Sequence, residues 1–415
     1  MSIKKSKVPI IIGEGSYGCA YKPSLRCTKK NIKYNNKISK LITTENAKKE
    51  MDEYKVISKI DKNKNFFLGI PINCKFNHSL KSNISSLKKC KSKNFKKKMK
   101  KLDLLIMENG GIDIDNYSYN LRSKAYSPEN IKKAEQLLIE FHRLLLGIRL
   151  FIESGIIHHD LKPQNIVYDE SKNRLNFIDF GLTRSKTSII RSCLKSENWL
   201  AEYHWSFPLE MKFLNKHDYL HFCSKTKEEK ESYYNNLFVK SINTGSSTTI
   251  ANIIRLFFSY VIPSSNYNEH INVFLKELFD TLIHEYHEKD YRSFLDKSID
   301  SIDIYGLGIS FLFFLKNTSH LLKKKLKDEL YDLFYQMVRP NFNKRINIEM
   351  LIKEFEIVLE QNNILKKYNK RFENNKLVDG YTEENMLNIK DFSIIKLSRK
   401  IQVIESIIPP DEKVH

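Results

Sequence analysis

Residues 156–184 read IIHHDLKPQNIVYDESKNRLNFIDFGLTR. Asp160, Lys162 and Asn165 surround Pro163, which interrupts any regular ladder, so this cluster is expected on an irregular loop. Ile166-Val167-Tyr168 begins a strand. Leu175 to Ile178 forms its partner and delivers Asp179 directly before Phe180 and Gly181. Two carboxylates and an amide on adjacent loop ends offer hard oxygen donors for a divalent cation and a carboxylate that orients a hydroxyl. A polar turn with incidental acids does not account for D-x-K-P-x-N and D-F-G in one stretch.

Working outward, Gly13-Glu14-Gly15-Ser16-Tyr17-Gly18 fits G-x-G-x-x-G, with Ile10 to Ile12 before it and Cys19-Ala20-Tyr21 after it. Glycines let backbone amides approach phosphate oxygens, and a strand rather than a helix follows, so a hairpin over phosphates fits better than a dinucleotide turn. Lys37 to Ile42 reads as a strand, followed by a helical segment through Glu45, Glu50, Glu53 and Ile57. Leu104 to Met107 reads as a buried strand ending at Glu108-Asn109-Gly110-Gly111, whose glycines mark a boundary between a small and a larger unit. Ser127-Pro128-Glu129 is a helix start.

The chain has 415 residues, 41% of them hydrophobic, and a formal charge of +21, which excludes wholesale disorder and leads to an expectation of two or three packed units. Lys62 to Lys101 holds thirteen lysines and no Asp, Glu or Arg. It reads as a solvated, partly disordered insertion, or as a contact for acidic or nucleic-acid surfaces. Six cysteines without a Cys-x-x-Cys pair point to free thiols in a reducing compartment. The start MSIKKSKVPI lacks an apolar signal core, and the run around Leu307 to Leu315 is too short for a bilayer span of about 20 residues. The expectation is an intracellular, cytoplasmic protein without a membrane span.

Together these landmarks, ordered from residue 8 to 360, resemble the eukaryotic-type serine/threonine protein kinase family, and the Lys/Asn/Ile bias is similar to divergent protein kinases of large DNA viruses. The resemblance implies an α+β, two-lobed fold: an antiparallel-sheet N-lobe over residues 1–109 carrying the 62–101 insertion, a helical C-lobe over 110–361 carrying a 211–298 insertion, and a charged tail over 362–415. It implies ATP and Mg2+ as cofactors and protein substrates as partners, in a host-cell cytoplasm or virion if the chain is viral. Gly13, Gly15 and Gly18 would cover the phosphates. Lys40 would pair them, with Lys22 as competitor, and Glu53 would hold that lysine, with Glu50 as the fallback. Ala20, Ile38 and Val167 would sandwich the base; Met107 would flank it, with Glu108 to Gly110 as hinge backbone. Asp160 would be the catalytic base and Lys162 would steady the phosphoryl group, while Asn165 and Asp179 would hold Mg2+. Glu210, in Pro208-Leu209-Glu210, would pair with Arg345, and Asp303 would open a buried helix.

The sequence also departs from the family. His159 stands where an arginine is usual, so activation through a loop phosphate is not expected, and Thr183, Ser185, Thr187 and Ser188 read as surface polar residues. The usual substrate-facing threonine is missing between Tyr203 and Glu210. The insertion reads as helices packed on the large lobe or as a docking platform, and His217, His221 and Cys223 have metal-like spacing without a fourth ligand. Alternatives to an active kinase are a pseudokinase and a basic nucleic-acid or virion-binding protein on the same scaffold.

Overall fold

The computed structural model describes residues 8–15, 18–29, 31–91, 101–196, 204–240, 249–263, 267–373 and 376–379. The readings made for Ser16 and Tyr17, most of the KKCKSKNFKKKMKK run, Tyr203, the 241–248 loop and the tail beyond 379 lie outside these residues.

The N-terminal part is a five-stranded antiparallel sheet. Its strands are β1 (Ile10–Glu14), β2 (Gly18–Lys22), β3 (Lys37–Thr43), β4 (Ile72–Lys75) and β5 (Leu102–Glu108), in the order β1-β2-β3-β5-β4. Side chains alternate across it with period two. Cys19, Tyr21, Leu41, Leu104 and Ile106 fill an outer core, closed by Leu87 of helix α2 (Lys81–Lys89). Ile42 and Leu105 pack with Ala47 of helix α1 (Thr44–Ile60) on the other face. Helix α1 starts where Thr43 accepts a hydrogen bond from the Asn46 amide.

This arrangement corrects two expectations. The 62–101 segment is not merely a solvated insertion: it supplies β4 and α2, and Phe67 is buried in the main core. Net charge masked the short apolar runs that build it. Nor are the cysteines all free. Cys19 bonds Cys90 and Cys27 bonds Cys74 across 71 and 47 residues, because the sheet brings each pair to Cα separations of 6.1 and 6.0 Å. Cys193 and Cys223 remain as thiols.

The C-terminal part is mainly helical. After β6 (Ile112–Asp113) come α3 (Ile114–Arg122) and the long α4 (Pro128–Glu153), capped by Ser127 with Pro128 in its first turn. Strands β7 (Ile156–Ile157), β8 (Ile166–Asp169), β9 (Arg174–Phe177) and β10 (Arg184–Ser185) form two small sheets, β6-β8-β9 and β7-β10. Helix α5 (Lys186–Leu194) follows. The insertion then contributes α6 (Lys216–Cys223), α7 (Lys227–Tyr234), α8 (Thr249–Val261) and α9 (Tyr267–His284). Next come α10 (Tyr291–Thr318), α11 (Lys324–Tyr335), α12 (Ile348–Gln361), α13 (Ile364–Lys367) and the hairpin β11 (Lys370–Glu373) with β12 (Lys376–Asp379).

An aromatic series ties this part together. Phe141 of α4 stacks on Phe311 of α10 at 3.8 Å, and Phe334 of α11 contacts Phe141, Phe311 and Phe355 of α12. Each such buried ring stabilises the fold by roughly 1.5–3 kcal/mol. Helix α10 lies within the one described segment long and apolar enough to cross a membrane, and 89% of that apolar window is buried inside the protein.

Two boundaries move, and the packing of the insertion becomes clear. Asp303 sits within α10, which begins at Tyr291 because Phe294, Leu295 and Ile299 extend its buried stripe backward. The ordered unit continues past Gln361, since Ile364 and Leu365 are buried and Tyr368 donates to Glu135 at 2.6 Å. The insertion's Ile254, Phe257, Phe258, Phe274, Leu278 and Leu282 lie in the main core, which favours the packed reading over an open platform.

Candidate functional site

Lys40 is placed by β3, one residue before buried Leu41 and opposite Ala20 on β2. Its Nζ lies 2.8 Å from Glu50 Oε2 on α1 and 2.8 Å from Asp179 Oδ1, joining residues 139 positions apart. Glu50, not Glu53, is therefore the helix partner. Glu50 is the buried position whose carboxylate reaches the lysine, whereas Glu53, nearly one turn further on, has its Oε2 buried without a hydrogen-bond partner. Burial favours a neutral Lys40 amine, but the charges of Asp179 and Glu50 overcome it, so its pKa stands above the ordinary lysine value. Burial also opposes the charge of Asp179, yet the Lys40 charge and hydrogen bond, with the charges of Lys162 and His158, hold its pKa below the usual range. The Asp179 side chain is 41% exposed, which leaves its carboxylate partly open to solvent. Glu53 is pushed up to about 7 by burial, then by the charges of Glu50 and Asp179.

The catalytic-loop candidates form one bonded group. Lys162 Nζ donates to both Asp160 oxygens at 2.7 and 2.9 Å. Asn165 Nδ2 donates to the Asp160 carbonyl at 2.7 Å and to its Oδ2 at 2.8 Å. Pro163 starts a single 3-10 turn, Pro163–Asn165, that sets this spacing. The loop is tethered from below: buried Asp303 accepts the amides of His158 at 2.7 Å and His159 at 2.9 Å. His159 and Asp179 adopt left-handed backbone conformations, φ +73° and +61°, unusual for residues with side chains and held here by surrounding bonds.

Beside the lysine, β1 and β2 turn back through the glycine-rich stretch, where the Gly15 amide bonds the Gly18 carbonyl at 2.9 Å. A Cβ on Gly18 would stand 2.2 Å from the Leu41 carbonyl oxygen, so only glycine permits this approach. Gly13 lies opposite Ala20, and Ile38 opposite Met107. Met107 also accepts a hydrogen bond from Tyr54 at 3.7 Å. Glu108 pairs with Lys37, and the Asn109 amide bonds the Asn36 carbonyl. A Cβ on Gly110 would meet Val167 Cγ2 at 2.5 Å, bringing the end of β5 against β8. Lys22, the competitor for Lys40, is exposed at the end of β2.

Further along, Arg345 donates to Glu210 at 2.5 and 3.1 Å, with both side chains at most 2% exposed, and also to Ser301 and the Arg339 carbonyl. Thr183 is buried and Ser185 caps α5, so these two are structural rather than surface polar residues. His159 is buried and its ring is pushed down to about 3, first by burial and then by Arg184 and His158, so it stays neutral. Among the described residues, His217, His221 and Cys223 do not bring their ligand atoms together as a metal-binding group. Among the described residues, the one group of ligand-type atoms within 4.8 Å is Glu14, Cys19 and Cys90, whose cysteines are already bonded. Sequence reasoning missed His158, whose ring contacts the Ile178 carbonyl at 3.1 Å, and Tyr54, which packs on Phe180. The His158-His159 doublet was the available signal.

No protein-family model matches the chain. A 65-residue stretch, 15% of the chain, is 35% identical to a titin homolog of Caenorhabditis elegans and spans a share of that protein that rounds to 0%. A likeness of that extent assigns no family.

Proposed function

We propose that this chain is an ATP- and Mg2+-dependent protein kinase of two-lobed, eukaryotic type, transferring the γ-phosphoryl group to serine or threonine hydroxyls of proteins. The observation that carries this reading is Lys40 Nζ at 2.8 Å from both Glu50 and Asp179, beside the bonded Asp160–Lys162–Asn165 group.

Asn165 commits its side-chain nitrogen to Asp160, so its oxygen is the atom left for a cation. With the Asp179 carboxylate this makes an all-oxygen donor set suited to Mg2+. Bound there, Mg2+ would supply neutralising charge to the phosphates. Lys40, fixed by two carboxylates, binds phosphate oxygens, and the amides around Gly13, Gly15 and Gly18 cover them. Ala20, Ile38, Met107 and Val167 provide apolar contacts for the base, with backbone polar groups of Glu108 to Gly110 beside it. Asp160 accepts the hydroxyl proton, its carboxylate oriented by Lys162 and Asn165, and Lys162 offsets charge on the transferring group.

The test is phosphoryl transfer from ATP to a protein acceptor, with and without Mg2+, for wild type and Asp160→Asn. Loss of a positioned base should reduce the rate by about 10²–10⁴-fold. Equal rates in the two proteins would exclude this function and leave a nucleotide-binding scaffold.

A further inference from the structure

We infer that Tyr260, on insertion helix α8, is a positioning residue that holds the catalytic loop and the acceptor-side segment together; this rests on the kinase reading. Gln164 lies between Lys162 and Asn165, so its placement affects both. Its Nε2 donates to Tyr260 Oη at 2.8 Å and to Asp115 Oδ1 at 3.0 Å, which commits both amide hydrogens. Tyr260 Oη in turn donates to Asp115 Oδ1 at 3.0 Å, closing a three-membered network between the catalytic loop, the start of α3 and the insertion.

The same tyrosine acts through its ring. It stacks on Trp205 at 4.3 Å with an interplanar angle of 25°, and its other contact is Phe313 of α10 at 4.6 Å. Two residues after Trp205, the Phe207 ring meets His159, the neighbour of Asp160, edge-on at 5.0 Å. Residues 204–207 thus lie against the loop that carries Asp160, and in the kinase reading they border the entry of the hydroxyl acceptor. This is the stretch where the sequence lacks the expected threonine. Tyr260 reaches both the loop that carries the base and the segment beside it, one through its hydroxyl and the other through its ring. Part of the acceptor site's order is thus supplied by the insertion.

Tyr260→Phe keeps the ring and deletes the hydroxyl. In the full-length protein, kcat/KM for a protein acceptor should fall about tenfold, the size expected for losing the two hydrogen bonds that the hydroxyl makes with half-buried Gln164 and Asp115. The KM for ATP should change by less than twofold. Amide hydrogen exchange of residues 160–166 should quicken by a similar factor, without a rise elsewhere in the sheet or α4. Tyr260→Leu, which also removes the stack, should lower acceptor kcat/KM further. Unchanged acceptor kinetics and unchanged exchange in Tyr260→Phe would overturn the inference. A wild-type protein that transfers no phosphoryl group would remove the kinase reading instead. The exchange measurement would then decide by itself, an unaltered loop overturning the role of Tyr260 and a quickened one supporting it.

Discussion

Two glutamates three positions apart on α1 compete for one role, and their substitution separates them. Glu50 lies 2.8 Å from Lys40 and its side chain is 5% exposed. Glu50→Gln retains an acceptor oxygen but removes the charge. A hydrogen bond to a charged group contributes about 1.5–3 kcal/mol and a neutral one about 0.5–1.5, so the loss is about 1–2 kcal/mol. That corresponds to a fall in kcat/KM for ATP of about 5- to 30-fold. Glu53→Gln should leave ATP kinetics within twofold and should alter stability instead. The folded pKa of Glu53, about 7, is raised above its unfolded value, so its favourable contribution is full below the unfolded pKa and is lost as pH rises through 7. Glu53→Gln should therefore stabilise the fold at pH 8 by about 1–2 kcal/mol after discounting for solvent screening, and have little effect at pH 4. Steady-state ATP kinetics and urea unfolding at both pH values measure these effects. A larger catalytic loss in Glu53→Gln than in Glu50→Gln would refute the pairing drawn here.

Two further outcomes follow from buried groups. Glu210→Gln removes the charge opposite the buried Arg345 guanidinium, which keeps an uncharged amide oxygen, Ser301, the Arg339 carbonyl and the Tyr305 ring. It should cost about 3–5 kcal/mol and lower Tm by about 6–15 °C, whereas Glu210→Leu with Arg345→Met should recover most of the loss; a single-variant cost under about 1 kcal/mol would contradict this. His159, pushed down to about 3 chiefly by burial, stays neutral in the fold while the unfolded chain takes up a proton. Its contribution is full above about pH 6.5 and is lost on acidification toward pH 3, by about 1.4 kcal/mol per pH unit. Urea unfolding across pH 7 to 5 should show this slope, and His159→Gln should flatten it; a level wild-type profile would contradict the buried-neutral assignment.

Much of the site was legible because its residues sit in short, rule-bound strings. Pro163 fixes the turn between Lys162 and Asn165, and β9 must end where Asp179 begins. The choice between Glu50 and Glu53 was not legible, since both lie near the sheet-facing side and only packing shows which is buried. Cysteine pairing was hidden for a similar reason: strand order, not spacing, sets Cys19 beside Cys90 and Cys27 beside Cys74. Lysine density concealed β4 and α2, whose few apolar residues, among them Cys74, Phe76 and Leu87, complete the outer core. Tyr260 carried no motif, and its importance arises from a contact 96 positions away in the chain.

In the proposed function, Lys40, Asp160, Lys162, Asn165 and Asp179 surround one nucleotide. An acyl-phosphate derivative of ATP, which transfers its acyl group to a lysine amine beside the bound phosphates, tests this arrangement directly by peptide mass spectrometry. The prediction is modification of Lys40 and Lys162 that Mg2+-ATP suppresses, against unsuppressed labelling of exposed lysines. Labelling of those two lysines no different from the exposed ones, or unaffected by ATP, would contradict it.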